Sequence, residues 1–185
     1  MRITNLSDSM KKIGSLKDYQ GDDQIITSYD LQESVKQEVP LKVFTSKLPS
    51  LDKAINGFQP GELIAISGPR KSGKTLLAQS LTTNFIDQDI KSLWFSYELT
   101  SRQFIERFPN LPFFVLPLKL KAYALDWVQD RILEALTKYG IEVIFIDHLH
   151  FLFDMARSKS VSIEIGQIIR WLKTLAIELN LVIFV

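Results

Sequence analysis

The stretch Gly68-Pro69-Arg70-Lys71-Ser72-Gly73-Lys74-Thr75 decides how the rest of this 185-residue chain is read. It satisfies the pattern G-x-x-x-x-G-K-[ST]. Ahead of it lies Leu63-Ile64-Ala65-Ile66-Ser67, a short apolar run bounded by turn residues, which predicts a buried strand. Behind it, Leu77, Leu81 and Phe85 follow helical spacing within Thr75–Asp87. In that strand–loop–helix setting the glycines let backbone N–H groups wrap a phosphate, and Lys74 reaches toward the outer phosphates. Thr75 offers a hydroxyl to Mg2+ at a helix N-terminus whose dipole already favours anions. The expectation is a nucleotide-phosphate site built from Gly68, Pro69, Arg70, Lys71, Ser72, Gly73, Lys74 and Thr75.

Working outward, the same texture repeats. Ser92–Tyr97 reads as a second strand, and Thr100 with Gln103 three residues on is a capping-box signal that opens a helix through Phe108. Phe113–Leu116 reads as a third short strand. Leu125–Tyr139 reads as a helix with Leu125, Val128, Ile132 and Leu136 on one face, and Val143–Ile146 as a fourth strand with no polar alternation. Ile163–Leu179 carries the longest helical stripe, and Leu181–Phe184 reads as a fifth strand. Ahead of the loop, Leu48 to Gly57 reads as a short helix with Ser50 as its N-cap and Gly57 just past its end. Continuous apolar strands separated by amphipathic helices predict an α/β fold, a mostly parallel sheet covered on both faces. Residues 1–40 are too polar to build a core of their own and read as a tail or linker. A docking helix is possible at Tyr29–Val39, with Leu31, Val35 and Val39 on one stripe, a frayed linker being the plainer reading, and the nucleotide-binding core is expected over 41–185.

A phosphate cradle needs a second anchor for Mg2+ and a group to orient or deprotonate water. Asp147 follows the apolar run Val143-Ile144-Phe145-Ile146 and emerges at the carboxyl edge of the sheet, where the phosphate loop also sits. Glu98 ends the second strand in the same way, placed to polarise a water. Each also has a plainer reading, Asp147 as a helix cap and Glu98 as a strand-end carboxylate.

Composition narrows the field. Lys and Arg number 22 against 21 Asp and Glu, a formal net charge of +1, so no global field attracts nucleic acid or an anionic membrane. Zero cysteines exclude a disulfide scaffold, a thiolate metal site and a cysteine nucleophile. No apolar run approaches the ~20 residues of a membrane span, and the N-terminus lacks a signal-peptide core, so a soluble, cytoplasmic or otherwise intracellular chain with no membrane partner is expected.

From Leu48 to Val185 the chain resembles the RecA-like ATPase core of the DnaB-type hexameric replicative helicases, with Twinkle-like and phage-helicase features. Four blocks carry the likeness: Leu51-Asp52 with Gly57 and Pro60-Gly61-Glu62-Leu63; Gly68–Thr75; Phe95-Ser96-Tyr97-Glu98-Leu99-Thr100-Ser101 with Gln103 and Arg107; and Ile144-Phe145-Ile146-Asp147-His148-Leu149-His150-Phe151 followed by Leu172 to Asn180. The first two are shared by many RecA-like proteins, whereas the last two together are particular to this family. The resemblance implies that Lys74 and Thr75 hold ATP and Mg2+, that Asp147 is the Walker B acid and metal ligand, and that Glu98 activates the water. It further implies single-stranded DNA as partner, a homo-hexameric ring, and a fifth strand lying between the phosphate-loop and Walker B strands.

The departures are His148 and His150, where DnaB proteins usually carry an aromatic residue and a glutamine. An Asp-His pair looks like the phage and Twinkle-like branch, and ordinary hydrogen-bonded histidines are the expectation, with a strand running past Asp147 able to place both on one face. Arg157 and Lys159, in the loop Asp154–Ser162, correspond to a region that faces the central channel in family members; a solvated loop explains two cations equally well. The family's sensor residue, DNA-binding loop and arginine finger correspond to positions beyond Val185, so the resemblance implies a core truncated after its fifth strand. Two further readings stay open: another RecA-like ATPase of recombinase or KaiC-like type, and a truncated nucleotide-binding or interaction module without unwinding activity.

Overall fold

The computed structural model describes residues 16–17, 19–21, 23–40, 42–152 and 160–185. They fall into two compact units, Met1–Pro40 and Leu41–Val185. In the first, α1 (Ser28–Gln37) is closed at its N-terminus by a reciprocal capping box between Thr27 and Asp30. None of its residues is buried, and Leu31 and Val35, like Val39 after it, stand in solvent.

The second unit begins with a bridge in which Phe44 and Phe58 exchange two 2.8 Å backbone bonds. Between them runs α2 (Pro49–Ile55). Its cap residue is Leu48 rather than the expected Ser50, and no side chain closes it. Pro49 at the first helical position has no N–H to satisfy, which removes part of the need for one. Asp52, inside the helix, accepts the Ser46 N–H at 2.7 Å. Gly57, at φ +81°, cannot be replaced freely, since a Cβ there would come 2.5 Å from Val43 Cγ1 and 2.9 Å from Phe44 O.

The core is a four-stranded, wholly parallel sheet in the order β1-β4-β3-β2, formed by β1 (Leu63–Ile64), β2 (Ser92–Ser96), β3 (Val143–Asp147) and β4 (Val182–Phe184). The last strand thus lies between the first and the third, as the resemblance implies. β1 is shorter than the apolar run that predicts it. Its pairing nonetheless extends toward the phosphate loop, because Val185 donates to Ile64 O and Ile66 donates to Val185 O, at 2.9 and 2.8 Å.

The expected strand at Phe113–Leu116 contracts to a single parallel bridge, Leu93 with Val115. Pro112 and Pro117 bracket this segment and can donate nothing to a ladder. Val115 alone pairs fully, accepting from Trp94 N and donating to Ser92 O at 2.9 Å each.

Alternation along the strands sorts the core into two layers. Leu93, Phe95, Ile144, Ile146 and Ile183 meet α5 (Leu125–Tyr139) through Val128 and Ile132, and α6 (Val161–Glu178) through Ile168 and Leu172. Trp94, Val143, Phe145, Val182 and Phe184 point the other way, onto Leu81 and Phe85 of α3 (Lys74–Ile86) and Phe104 of α4 (Ser101–Glu106). Phe145 is the hinge of that second layer, stacked on Trp94 at 4.6 Å and on Phe184 at 4.8 Å. The buried Trp94 indole N–H is satisfied by Thr82 Oγ1 at 3.0 Å. Helices therefore cover both faces, and the carboxyl ends of the strands carry the loops on which the expected chemistry depends.

Candidate functional site

The phosphate loop leaves the sheet after β1 and enters α3 at Lys74, with Gly73 as the preceding cap residue. Gly73 holds φ +90°, a conformation side chains disfavour, and no side chain caps the helix above it. Its first N–H groups are therefore left for a ligand anion. A Cβ on Gly68 would stand 2.9 Å from Ser72 Oγ, inside the curve of the loop, a contact that rotation of the serine hydroxyl relieves. Lys74 Nζ donates to the carbonyls of Gly68 and Pro69 at 3.0 Å each, which pins its charge at the loop's rim.

Across the loop, Thr75 Oγ1 donates to Asp147 Oδ2 at 2.8 Å, joining residues 72 apart in sequence. β3 runs one residue longer than expected and ends on Asp147, whose side chain is largely shielded at 16% exposure. A hydroxyl and a carboxylate oxygen side by side, next to a fixed ammonium and uncapped helix N–H groups, are the donor set that a magnesium–triphosphate requires. The residues present fit that group.

These side chains border a cleft of about 720 Å³. Gly68, Arg70, Lys74, Thr75, Asp147, His148 and His150 line its polar part, and Ala65, Ile66, Phe145, Ile169 and Phe184 its apolar wall. Among the other loop residues expected to bind, Pro69 enters the site through the carbonyl that holds Lys74. Lys71 takes a positive φ of 64° at the loop's turn.

Glu98 lies on the turn after β2, beside the cleft, and its carboxylate is about half exposed. Its position follows from register: Ser96 pairs with Asp147, so the residues following each strand meet at the same sheet edge. There His148 stands between the two acids. Its Nδ1 lies 2.8 Å from Asp147 Oδ1, and its Nε2 lies 3.6 Å from Glu98 Oε2. Glu98, Asp147 and His148 each offer a ligand atom within 4.8 Å of the others.

No strand continues past Asp147 to place both histidines on one face. The chain turns at once into a 3-10 segment, Leu149–Leu152, so His148 and His150 are not carried on one strand face; their rings sit edge to face, 6.4 Å apart. The sequence singles out both histidines but does not place Glu98 beside His148, because the two are 50 positions apart. The register of two adjacent buried strands is the signal that joins them. Arg157 and Lys159 lie outside the described residues.

Residues 44–111 match the family model described as DnaB-like helicase C terminal domain. A probable replicative DNA helicase of Trieres chinensis is 24% identical over 210 residues, covering 92% of this chain and 46% of that protein. The replicative DNA helicase DnaB of Rickettsia typhi is 25% identical over 175 residues, covering 72% of this chain and 35% of that protein. The chain thus spans less than half the length of these curated relatives.

Among solved structures, the ATPase domain of G40P superimposes with a TM-score of 0.60 at 18% identity, covering 84% of this chain and 67% of that one. A DnaB-like replicative helicase, described with its interactions with primase, gives a TM-score of 0.62 at 19% identity over 97% of this chain and 52% of that one. The fold is the RecA-like parallel sheet of these domains, and the resemblance to DnaB-type helicases read from the sequence is borne out.

Proposed function

We propose that this chain is the ATP-binding motor core of a replicative DNA helicase, coupling Mg-ATP hydrolysis to movement along single-stranded DNA within a ring of identical subunits. The observation that carries the reading is the 2.8 Å contact between Thr75 and Asp147, at the rim of a cleft that also holds Lys74. Two distant motifs meet where a nucleotide's metal-bearing end would lie. The family match over residues 44–111 and the likeness to replicative DNA helicases support this substrate class.

In this reading Thr75 Oγ1 and Asp147 hold Mg2+, and the loop's N–H groups with Lys74 hold the phosphates. Bound Mg-ATP supplies a terminal phosphoryl group whose transfer to water is the driving reaction. The chain's own residues do the rest. Lys74 and the uncapped start of α3 balance anionic charge in a cleft with one apolar wall, where such interactions are stronger than in bulk water. Glu98, solvent-accessible at the cleft's edge, takes a proton from the attacking water. Asp147 presents one oxygen to Thr75 and the other to His148, so the metal-holding pair is tied mechanically to the segment beside Glu98.

Side-by-side measurement of nucleotide affinity and phosphate release tests the assignment. Glu98→Gln is expected to leave affinity for Mg-ATP within about twofold and to remove turnover, because the amide keeps the shape and cannot serve as a base. Normal hydrolysis with Gln at position 98 would make Glu98 an ordinary strand-end residue.

A further inference from the structure

The contact between Asp147 and His148 has a chemical consequence separate from nucleotide binding. The 2.8 Å separation of His148 Nδ1 from Asp147 Oδ1 is the distance of a hydrogen bond in which Nδ1–H donates to the carboxylate. With Nδ1 engaged in this way, Nε2 is the ring atom open to an ion, and it lies 3.6 Å from Glu98 Oε2. Two ligands on a tetrahedral zinc ion, each at about 2.0–2.1 Å, stand about 3.4 Å apart. The observed spacing is close to that edge. A carboxylate behind Nδ1, an imidazole, and an ion on Nε2 form the carboxylate–histidine–metal arrangement in which the outer acid orients the ring and raises its basicity. Both side chains are accessible, with 38% of His148 and 48% of Glu98 exposed.

We propose that His148 Nε2 and the Glu98 carboxylate form a binding site for a transition-metal dication of the Zn2+ or Co2+ type, with Asp147 as the outer-shell acid. The site is distinct in chemistry from the Thr75–Asp147 pair, whose all-oxygen donors suit Mg2+. An imidazole nitrogen is a poor ligand for Mg2+ and a good one for Co2+, Ni2+ and Zn2+, so the two positions sort cations by type. The remaining coordination positions face solvent at the cleft's edge and are filled by water. Occupancy engages the carboxylate that the proposed function assigns to the attacking water. On that reading alone, the bound ion acts as an inhibitor of turnover; the binding itself does not depend on it.

Titrating the nucleotide-free chain with Co2+, followed by visible absorption and by displacement with Zn2+, tests the site. One Co2+ per chain is expected, displaced by Zn2+ and not by equimolar Mg2+. His148→Ala should abolish the spectrum, and Glu98→Gln on its exposed turn should weaken uptake by roughly tenfold or more. His150→Ala should leave it unchanged. Lys74→Ala, expected to lose nucleotide, should still take up Co2+, so failure of the metal site and failure of the nucleotide reading give different results. No Co2+ uptake, uptake equal in wild type, His148→Ala and Glu98→Gln, or displacement by equimolar Mg2+ would overturn the proposal.

Discussion

At the scale of single residues, Tyr97 shows how the edge of β2 is secured. It follows the strand directly, donates its N–H to Asp147 O at 2.7 Å, and stacks on Phe151 at 5.1 Å. Its hydroxyl donates to Lys121 O at 3.1 Å. Burial pushes its phenol from the ordinary 10.0 up to about 12, because the phenolate would lose hydration. The sign is then set by linkage. The folded state resists ionisation, so the stability it gains from a neutral Tyr97 is complete below pH 10 and drains away between pH 10 and about 12, as the unfolded chain ionises first. Alkaline thermal melts should fall across that window, and Tyr97→Phe should flatten the fall while costing about 1 kcal/mol at neutral pH through the lost hydrogen bond. Identical alkaline profiles for the two proteins would contradict this account. Residue-level chemistry was the most legible part of the sequence, since the loop Gly68–Thr75 carries its own spacing and Asp147 and Glu98 each terminate an apolar run. His148 was not legible as Glu98's neighbour, because a histidine's partners are set by which strand lies alongside.

At the scale of elements, the helix following Glu98 illustrates local chemistry that survives into the fold. α4 is a six-residue helix, too short to persist alone, and its start is closed on both sides: Thr100 Oγ1 accepts from Gln103 N at 3.3 Å, and Gln103 Oε1 accepts from Thr100 N at 3.2 Å. Its one buried side chain, Phe104, packs on Trp94 at 4.7 Å. Thr100→Ala should therefore cost about 1 kcal/mol in urea unfolding with no change in its slope. An unaltered midpoint would mean that the Phe104 contact alone holds the helix. Elements whose signals are local, such as this capping box and the apolar stripe of α5, match the sequence reading closely. Those that depend on pairing do not: the Phe113–Leu116 run has strand composition, but its flanking prolines leave it a single bridge. The helix beginning at Ser101 likewise stops at Glu106 rather than continuing through Phe108, whose ring turns instead onto Phe114 at 5.2 Å.

At the scale of the whole molecule, strand order is the property that periodicity cannot supply. Apolar runs announce strands without saying which lies beside which; the central place of β4 came from family likeness, and it is what brings the ends of β1 and β3 to the two sides of one cleft. The second unit holds both core layers and every described residue of the candidate site. We propose that it is an autonomous domain. A chain starting at Leu41 should unfold cooperatively at the same temperature as the parent within about 2 °C, and bind nucleotide equally well. A large loss of stability on removing residues 1–40 would show that they form part of the core.

The central claim is that the loop Gly68–Thr75 and Asp147 together hold a magnesium–nucleotide complex, and calorimetric titration of ATP with and without Mg2+ tests it most directly. Binding is expected for the wild-type chain in Mg2+ and should weaken sharply when the metal is removed. Lys74→Ala should abolish it, since the N–H cradle without its ammonium cannot balance the triphosphate charge. Equal affinity for wild type and Lys74→Ala, or affinity indifferent to Mg2+, would contradict the account.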